Sequence, residues 1–593
     1  MNTTPRVNPN FLAEALLDQA EAQLKTRNHA NAARLADQAL TVEPRNLRAL
    51  SLGAAIIATH GGEKEVALRL INQALKLGPD SPVVLVNAAH VFSRYGQGDR
   101  WRRVCERFLQ LQPNSVDTLW NLANYYQVKE DDPETAEVYY RKVVELAPHL
   151  PGLRSNLGNA AKNTGRIEEA MELYREEVRL FPQVAVHFSN YLQSLHYDPA
   201  GSPEQIHAEH AAWGRSLEAA IPADHHHCND RSPDRRLRIG YVSADFRGHP
   251  VGHNLLPLFR HHDHAQFEIH CYSDTRSGDE MTARLRQHAD AWRDTVGLPD
   301  AELAARIAQD QIDVLVDLAM HSAGTRLGMF VRKPAPLQVT WMAYPGSSGL
   351  TRMDYRFTDP VLDPPGATDH FYTEQSIRLE TFWCFEPPAD SPAIRPLPAE
   401  KNGYVTFGCL NNFAKVNDAL LELWCEILEA VPDSRMVLRP PKGKITARVR
   451  EKLGVDPARI TGLPAESRLK YLSYYHRIDL ALDPFPYTGH TTTLDGLWMG
   501  VPVVTLAGPT IASRGSLSIL SNLGLTELAV KSKSDYVALA VALAQDPSRL
   551  RELRAGLRGR LERSVLMDAN RFARQAEAAY RSMWHKWCQT RPA

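Results

Sequence analysis

Apolar residues in the first third of the chain recur with helical spacing, and the helical stretches end at regularly placed prolines. These are Pro44, Pro79, Pro113, Pro148 and Pro182, at successive spacings of 35, 34, 35 and 34 residues. Because proline cannot continue a helix, each one marks the end of the second helix of a pair. Later in the chain the pattern changes to short apolar runs between helix-like segments, which predicts a mixed α/β part.

Small residues stand where paired helices must cross closely. Twelve residues before four of the prolines the chain has Ala32, Ala67, Ala136 and Ala170. The period and the small residues resemble the tetratricopeptide repeat, and the stretch from Leu157-Gly158 to Pro182 matches its consensus well. About five such repeats over residues 11–200 are expected to stack into a superhelix with a concave binding surface. Trp101 occupies the small-residue position of the third repeat, so we expect looser or shifted packing there.

An asparagine recurs eight residues after each of the last four prolines. The four residues are Asn87, Asn121, Asn156 and Asn190. Equivalent positions of a solenoid lie along one face, so these amides are expected to form a row. A carboxamide both donates and accepts, which suits a grip on the backbone of an extended acceptor peptide. The alternative is a row that caps or bridges neighbouring repeats. We favour peptide binding, because four asparagines stand in register on a first helix, where asparagine has only middling propensity.

The rest of the chain is predicted to form two α/β halves. Residues 201–235 break the repeat and are interpreted as a linker. Residues 236–395 form the first half, with strands predicted at Leu237–Ser243, Phe267–Tyr272, Ile312–Leu318 and Leu337–Met342. Residues 396–593 form the second, with strands predicted at Tyr404–Cys409, Ser434–Leu438, Ile478–Leu482 and Val501–Leu506. Alternating strands and helices indicate parallel sheets, and two such Rossmann-like domains place a ligand cleft between the carboxyl ends of their strands.

Composition excludes several classes of function. The 593 residues carry 68 Lys plus Arg against 69 Asp plus Glu, so a dedicated nucleic-acid binder is not expected. Seven scattered cysteines without a C-x-x-C pair favour a reducing compartment over disulfides or structural zinc. The opening MNTTPRVNPN has no signal-peptide core and no apolar run reaches about 18 residues, so we predict a cytoplasmic protein without a membrane span. Neither a G-x-G-x-x-G after the first strand nor a P-loop is present, which disfavours nicotinamide enzymes and P-loop NTPases.

The strongest chemical signal is the run from Gly489 to Asp495, GHTTTLD, shortly after a predicted strand. Threonine hydroxyls beside the free N–H groups of a first helical turn form an anion site suited to a diphosphate. The alternative is a simple threonine N-cap beside the favourable charge of Asp495. A cap needs one hydroxyl, however, and here three follow a Gly-His pair.

Two further segments follow predicted strands. The run FGCLNNFAK ends at Lys415, whose ammonium could neutralise a leaving diphosphate, although a lone lysine is more often a solvated surface residue. The loop from Asp245 to His253 carries His249 and His253 beside glycines, which suits a mobile, ligand-facing loop. A histidine pair four residues apart could also ligate a metal, but the sequence offers no third ligand, so no metal site is predicted.

These segments resemble the O-GlcNAc transferase family of the SPINDLY type, glycosyltransferases of the two-Rossmann GT-B fold. The resemblance extends to Val314–Leu318, Arg332–Pro336, Tyr344–Gly349 and Asp354-Tyr355, and it covers essentially the whole chain, repeats included. It implies an inverting transfer of N-acetylglucosamine from UDP-GlcNAc to Ser or Thr of protein acceptors, without an essential metal and with no cofactor besides the donor substrate. It also implies that protein or peptide acceptors bind the concave face of the repeats.

The resemblance assigns roles residue by residue. His490, Thr491 and Thr492 would hold the diphosphate, Lys415 would stabilise the leaving UDP, and Asp495 would bind the ribose. Asn412 stands where many members carry glutamine and is placed at the nucleotide sugar. His249 matches an active-site histidine and is assigned to the catalytic site without a fixed role. The chain departs from the family between residues 460 and 479. Tyr471 stands there in place of a helix histidine, and Arg468 occupies the position of a basic residue that lies beside the uracil in the family.

Two alternatives remain beside protein O-GlcNAc transfer. A GT-B transferase could move another nucleotide sugar onto flagellin, an adhesin or a surface glycan, because pocket shape sets the choice of sugar. A non-catalytic repeat scaffold is disfavoured by the retained Lys415, His490 and threonines, which a scaffold does not need. Oligomeric state is left open.

Overall fold

The structure is a computed structural model that describes residues 9–223 and 227–590. It divides into two compact units, one reaching to Asn156 and one starting at Leu157. The first eight residues, to which the expectation about a signal segment refers, lie outside the described part. In the two described ranges, no helix combines the length and the apolar character that a membrane crossing requires.

The first unit consists of helices that pack one after another. They are α1 (Pro9–Lys25), α2 (His29–Val42), α3 (Leu47–His60), α4 (Lys64–Leu77), α5 (Pro82–Arg94), α6 (Gly98–Leu111), α7 (Val116–Val128), α8 (Pro133–Leu146) and the start of α9 (Leu153–Asn163). Pro44, Pro79, Pro113 and Pro148 each follow the second helix of a pair. Ala32, Ala67 and Ala136 are fully buried, so the alanine positions mark the helix crossings as predicted.

The second unit opens with more helices, and here the structure differs from the predicted linker. The helices are α10 (Ile167–Leu180), α11 (Ala185–Ser194) and, inside residues 201–235, α12 (Pro203–Ala220). Ser202 caps α12 by accepting from the Gln205 N–H at 3.2 Å, and His210 and Trp213 are buried on one face. The linker prediction does not hold for this stretch. The helix was missed because its buried stripe consists of His and Trp among polar residues, which in sequence resembles a solvated segment.

Seven parallel strands form the sheet of the first α/β half. They are β1 (Leu237–Ser243), β2 (Phe267–Ser273), β3 (Ala291–Asp294), β4 (Val314–Asp317), β5 (Leu337–Thr340), β6 (Tyr355–Thr358) and β7 (Gln375–Arg378). Their order is β3-β2-β1-β4-β5-β6-β7, and Ile239 pairs with Ile269 on one side and Val314 on the other. The order reverses between β1 and β4, which opens a crevice at their carboxyl ends.

The second half repeats this plan with six parallel strands. They are β8 (Thr406–Cys409), β9 (Arg435–Leu438), β10 (Ile460–Gly462), β11 (Leu480–Leu482), β12 (Val503–Leu506) and β13 (Ala529–Val530). The order β10-β9-β8-β11-β12-β13 places the reversal between β8 and β11. All strands predicted from apolar runs are present. The outer strands β3, β7, β10 and β13 and the inner strand β6 were not predicted. The outer strands are short and partly exposed, and β6 contains Arg356 and Thr358, so all five lack the continuous apolar run of a buried parallel strand.

Helices cover the faces of both sheets. They are α13 (Pro250–His261), α14 (Glu280–Arg286), α15 (Asp300–Gln309), α16 (Leu327–Phe330), α17 (Pro398–Asn402), α18 (Asp418–Ala430), α19 (Ala447–Leu453), α20 (Arg468–Tyr474), α21 (Thr491–Trp498), α22 (Gly515–Asn522), α23 (Lys533–Ala544), α24 (Pro547–Glu562) and α25 (Ala569–Gln589). The last helix packs back on the first half: Glu577 on α25 accepts from His262 Nδ1 at 3.0 Å. The predicted C-terminal helices therefore serve both halves.

Candidate active site

The three segments that the sequence singled out all follow strands next to the two sheet reversals. The loop with His249 follows β1, the segment ending at Lys415 follows β8, and the turn before His490 follows β11. Because parallel strands end on the same edge of a sheet, the last two segments meet in the second half. Electrostatics link the first half to them: Arg468 on α20 contributes, after burial, to lowering the pKa of His253 on α13 to about 4.

The amino end of α21 has free backbone donors. Its N-cap residue is His490, whose side chain makes no capping hydrogen bond. Within the described ranges, the N–H groups of Thr491 and Thr492 donate to no protein group, while Thr493 turns inward, with its Oγ1 2.7 Å from Ser516 Oγ. Two half-buried threonines with free N–H groups thus face outward, and the third is a buried structural residue. This first turn carries the positive end of the helix dipole, which favours phosphate oxygens.

His490 is held as a neutral ring. Burial, followed by the charge of Lys415, lowers its pKa to about 3. The ring packs edge to face on Trp383 at 5.1 Å, and a Cβ at Gly515 would lie 2.3 Å from its Nε2. Nε2 is buried and has no partner in the described structure, so the bond to the Ala512 backbone uses Nδ1. With the proton on Nδ1, Nε2 can only accept a hydrogen bond.

Lys415 closes a short 3-10 turn (Phe413–Lys415) and points at the same site. Its Nζ donates to the Thr488 carbonyl at 2.7 Å and lies 4.0 Å from the centre of the Tyr487 ring. Burial lowers the pKa of Lys415 to about 8, although the charge of Asp483 opposes this shift. The amino group of Lys415 is therefore mostly protonated at neutral pH, and it lies beside the open end of α21.

Asp483 supports both features, and the sequence reasoning did not select it. It directly follows β11 and is 1% exposed. Its Oδ1 accepts from the Gly489 N–H and its Oδ2 from Thr505 Oγ1, each at 2.7 Å. A Cβ at Gly489 would lie 2.7 Å from that Oδ1, so the turn into α21 needs glycine there. A charged residue placed directly after a buried strand at a sheet reversal is the signal that could have identified it.

Arg468 and Asp495 form an ion pair with each other. Arg468 Nη1 donates to Asp495 Oδ2 at 2.6 Å, and the second Nη donates to the other oxygen at 2.5 Å. Asp495 is 2% exposed, and burial raises its pKa while Arg468 opposes the rise. Tyr471 lies 3.1 Å from Tyr475 through their hydroxyls, and the Tyr475 hydroxyl donates to the Thr492 carbonyl at 2.9 Å. The residue that departs from the family pattern thus belongs to a polar chain that reaches α21.

His249 caps α13 at the edge of the first half. Its Nδ1 accepts from the Val251 N–H at 3.3 Å and lies 3.5 Å from an oxygen of Asp245. Burial lowers the pKa of His249, with Asp245 opposing and Arg247 adding to the effect. Asn412 is exposed, and its Oδ1 caps the turn before Lys415 by accepting from the Ala414 N–H at 3.1 Å. Its amide N–H groups and the second lone pair of this oxygen remain for a ligand.

The repeat asparagines do not all have free amides. Asn87 Nδ2 donates to Ser51 Oγ at 3.1 Å, and Asn156 Nδ2 donates to Asn124 Oδ1 at 3.4 Å, so both bridge neighbouring repeats. Asn121 is exposed in the first unit. Asn190 lies on α11 in the second unit and is half-buried. The bridging alternative thus describes two of the four residues.

Trp101 occupies the position that alanine has in the other repeats. Its ring lies 5.1 Å from that of Tyr125, and both line a groove of the first unit together with Phe92 and Asn121. The third repeat therefore has a local aromatic pair where the other repeats have a close crossing.

Two Rossmann-like halves, with a free helix start and a half-buried lysine at the reversal of the second sheet, are typical of GT-B glycosyltransferases. The family model for glycosyl transferase family 41 matches residues 176–385 and 396–576, and a tetratricopeptide-repeat model matches residues 116–150 and 152–183. The chain belongs to glycosyl transferase family 41. The predicted family and fold are confirmed.

Named relatives agree. The Oryza sativa subsp. japonica protein "Probable UDP-N-acetylglucosamine--peptide N-acetylglucosaminyltransferase SPINDLY" is 36% identical over 70% of this chain and 46% of its own length. The Arabidopsis thaliana protein of the same activity name, SEC, is 32% identical over 60% of this chain and 38% of its own. The chain thus spans less than half of these relatives. The structure of a lysine-to-methionine mutant of the Thermobaculum terrenum O-GlcNAc transferase superposes with a TM-score of 0.79 at 36% identity, covering 86% of this chain and 98% of that one.

Proposed function

We propose that this protein is an inverting protein O-glycosyltransferase that moves N-acetylglucosamine from UDP-GlcNAc to Ser or Thr hydroxyls. The observation that carries the proposal is the open amino end of α21 beside Lys415, at the sheet reversal of the second half. The named activity of the relatives supports the choice of donor and acceptor.

The leaving group sets the main electrostatic demand. In the displacement, the acceptor oxygen forms a bond to C1 of the sugar while the bond from C1 to the diphosphate oxygen breaks, and UDP departs with the electron pair. The free N–H groups and hydroxyls of Thr491 and Thr492 receive phosphate oxygens, and the ammonium of Lys415 neutralises the growing charge. These groups are placed before the reaction, so little reorganisation is needed as the bond breaks.

His490 has a different task from the one its motif suggested. A neutral ring with its proton on Nδ1 offers only an acceptor at Nε2, which repels a phosphate oxygen. In the proposed complex, Nε2 therefore accepts from a sugar hydroxyl or from the N–H of the acetamido group. Phosphate binding falls to Thr491 and Thr492.

The nucleoside side is formed by α20. Arg468 remains fixed by Asp495 and presents its remaining N–H groups towards the nucleotide, next to Tyr471. Asp495 also accepts from Tyr471, so one lone pair of its carboxylate remains for a ribose hydroxyl. Asn412 contributes through its amide N–H groups, while its oxygen also accepts in the turn.

The acceptor enters from the first half. His249 lies at that side of the cleft and is neutral near pH 7, so it can hold the acceptor hydroxyl in line with C1. The hydroxyl proton passes to a base that we do not assign to a residue. Along the repeats, Asn121 and Asn190 are proposed to bind the acceptor backbone, whereas Asn87 and Asn156 maintain the spacing of the repeats.

Metal and compartment are part of the same proposal. The sequence has no D-x-D diphosphate signature, and the positive charge for the diphosphate comes from Lys415 and helix amides, so the transfer is proposed to need no metal. No group of three or more His, Cys, Asp or Glu side chains in residues 9–223 and 227–590 is placed to hold a metal ion. All seven cysteines are free, which supports a reducing, cytoplasmic compartment.

The test is donor choice with a matched lysine control. The protein is incubated with acceptor proteins and a panel of UDP- and GDP-sugars, and released nucleotide and glycosylated acceptor are measured. We expect UDP-GlcNAc to give both products, Lys415→Ala to abolish them, and Lys401→Ala, an exposed lysine before β8, to leave them unchanged. Transfer only from another nucleotide sugar would overturn the donor assignment, and full turnover by Lys415→Ala would overturn the role of that residue.

A further inference from the structure

The turn glycine of the repeats has a different environment in the last repeat. Gly61, Gly96 and Gly165 each lie 17 residues after a repeat proline and have φ of 74°, 67° and 81°. A Cβ on Gly61 or Gly96 would meet no atom of the described residues within 4 Å. A Cβ on Gly165 would lie 2.1 Å from the Val416 carbonyl oxygen. The same turn therefore serves only as a turn in earlier repeats, and in the last one it also packs on backbone of the second α/β half.

Arg448 on α19 joins the two backbones at this contact. Its Nη2 donates to the Thr164 carbonyl at 2.7 Å and to the Val416 carbonyl at 3.3 Å. Its Nη1 pairs with Asp418. Thr164 is 5% and Val416 is 1% exposed, so these bonds are shielded from water. One guanidinium thus fixes the last repeat to the residue that directly follows Lys415.

The side chain of Lys415 leans on the last repeat as well. Its Nζ lies over the Tyr487 ring, and that ring lies 5.0 Å from Tyr197, which follows α11. On the other flank, Ala414 is 1% exposed and belongs to the same apolar cluster as Ala161 and Ile167 of the last repeat. Backbone and ammonium of Lys415 are therefore both supported by residues 161–197.

We propose that Gly165 and Arg448 are positioning residues for Lys415, so that the last repeat forms one wall of the transfer site in addition to any contact with acceptors. The inference rests on the proposed function for its kinetic consequence only, since the placement of Lys415 can be measured without turnover. Three charged or titratable groups face Lys415 and set its ionisation: Asp483, His490 and Cys409.

The first test compares two glycines with the same backbone strain. Gly165→Ala and Gly61→Ala each place a Cβ at positive φ, so both variants carry the same kind of backbone strain. Only Gly165→Ala also collides with Val416. A displacement on the order of 1 Å at Lys415 is expected to lower kcat by about 10²-fold in Gly165→Ala, with a much smaller change in KM for the donor. Gly61→Ala is expected to keep the wild-type kcat.

The second test reads Lys415 directly. Its acetylation by acetic anhydride is followed against pH by mass spectrometry in the full chain, so its pKa is obtained without donor or acceptor. We expect a Lys415 pKa of about 8 in the wild type and in Gly61→Ala. In Gly165→Ala and Arg448→Ala, this pKa should rise towards 10.5, because a displaced ammonium regains water. Arg450→Ala changes an exposed arginine on the same helix and is the control for Arg448→Ala. Arg448→Lys is expected to bring the Lys415 pKa part of the way back to its wild-type value.

The outcomes separate this inference from the proposed function. An unchanged Lys415 pKa in Gly165→Ala and Arg448→Ala overturns the positioning role, even if both variants lose activity through instability. A raised pKa in a protein that transfers no sugar supports the positioning role and counts against the proposed function. A raised pKa with an unchanged kcat would also contradict the inference, because Lys415 would then tolerate displacement.

Discussion

The ionisation of Lys415 gives the sharpest prediction. The proposed leaving-group role needs the charged form, and burial places the pKa of this lysine at about 8 rather than at 10.5. Protonation therefore falls from about nine-tenths at pH 7 to about one-tenth at pH 9. A lysine with its ordinary pKa would stay almost fully charged over the same range. The free enzyme should lose about tenfold in kcat/KM for the donor between these pH values.

The assay separates the free enzyme from the donor complex. The pH dependence of kcat/KM reports groups of the free enzyme, whereas kcat reports the complex, where a bound diphosphate raises the pKa of Lys415. We expect the fall in kcat to begin at higher pH than the fall in kcat/KM. Lys415→Arg is the control, because its guanidinium stays charged: its absolute rate drops, and its basic limb disappears. A wild-type profile that stays flat to pH 9, or an equal fall in Lys415→Arg, would refute the reasoning.

Three more outcomes are expected. Between about pH 8 and 10.5 the folded state binds fewer protons than the unfolded state, so the burial of charged Lys415 destabilises the fold below pH 8. Lys415→Met should therefore raise the free energy of unfolding at pH 7 by up to about 3 kcal/mol in urea titrations. No gain would argue against a buried ammonium. Asp483→Asn removes the facing negative charge, so the basic limb of kcat/KM should move to lower pH, while an unmoved limb would show weak coupling. Arg468→Met leaves Asp495 buried and unpaired and should cost about 3 kcal/mol in the same titrations, which the double variant with Asp495→Leu should largely recover.

The repeat period and the buried strands were accessible from sequence because both are local patterns. Prolines at 34–35-residue spacing and alanines at helix crossings define a repeat by the chemistry of neighbouring residues. The central strands were found as apolar runs, since a parallel strand with both faces covered is apolar throughout. Edge strands such as β3 and β13 lack that run, and α12 carries a buried stripe among polar residues. Their structure depends on what covers them.

The candidate site divides along the same line. The outward position of Thr491 and Thr492 follows from helix start signals that the chain carries within a few residues. The partners of other residues do not. Asp495 carries the right chemistry for a ribose, yet Arg468, 27 residues away along the chain, occupies one side of both oxygens. Asp483 was not selected at all, because a carboxylate after a strand gains meaning only when Lys415 and Gly489 are known to lie around it.

By itself, the sequence determined the class of fold and the order of its parts, and it supplied the candidate residues of the proposed sugar-diphosphate site, because helix starts, strand ends and turns are decided over a few residues. The tertiary structure alone decided which groups remain free. It engages Asn87 and Asn156 in bridges between repeats and sets Gly165 against Val416 across 251 residues. Among residues 9–223 and 227–590, it leaves Nε2 of His490 without a partner. Hydrogen-bond capacity and burial are consumed by neighbours in space, and a linear pattern does not record those neighbours.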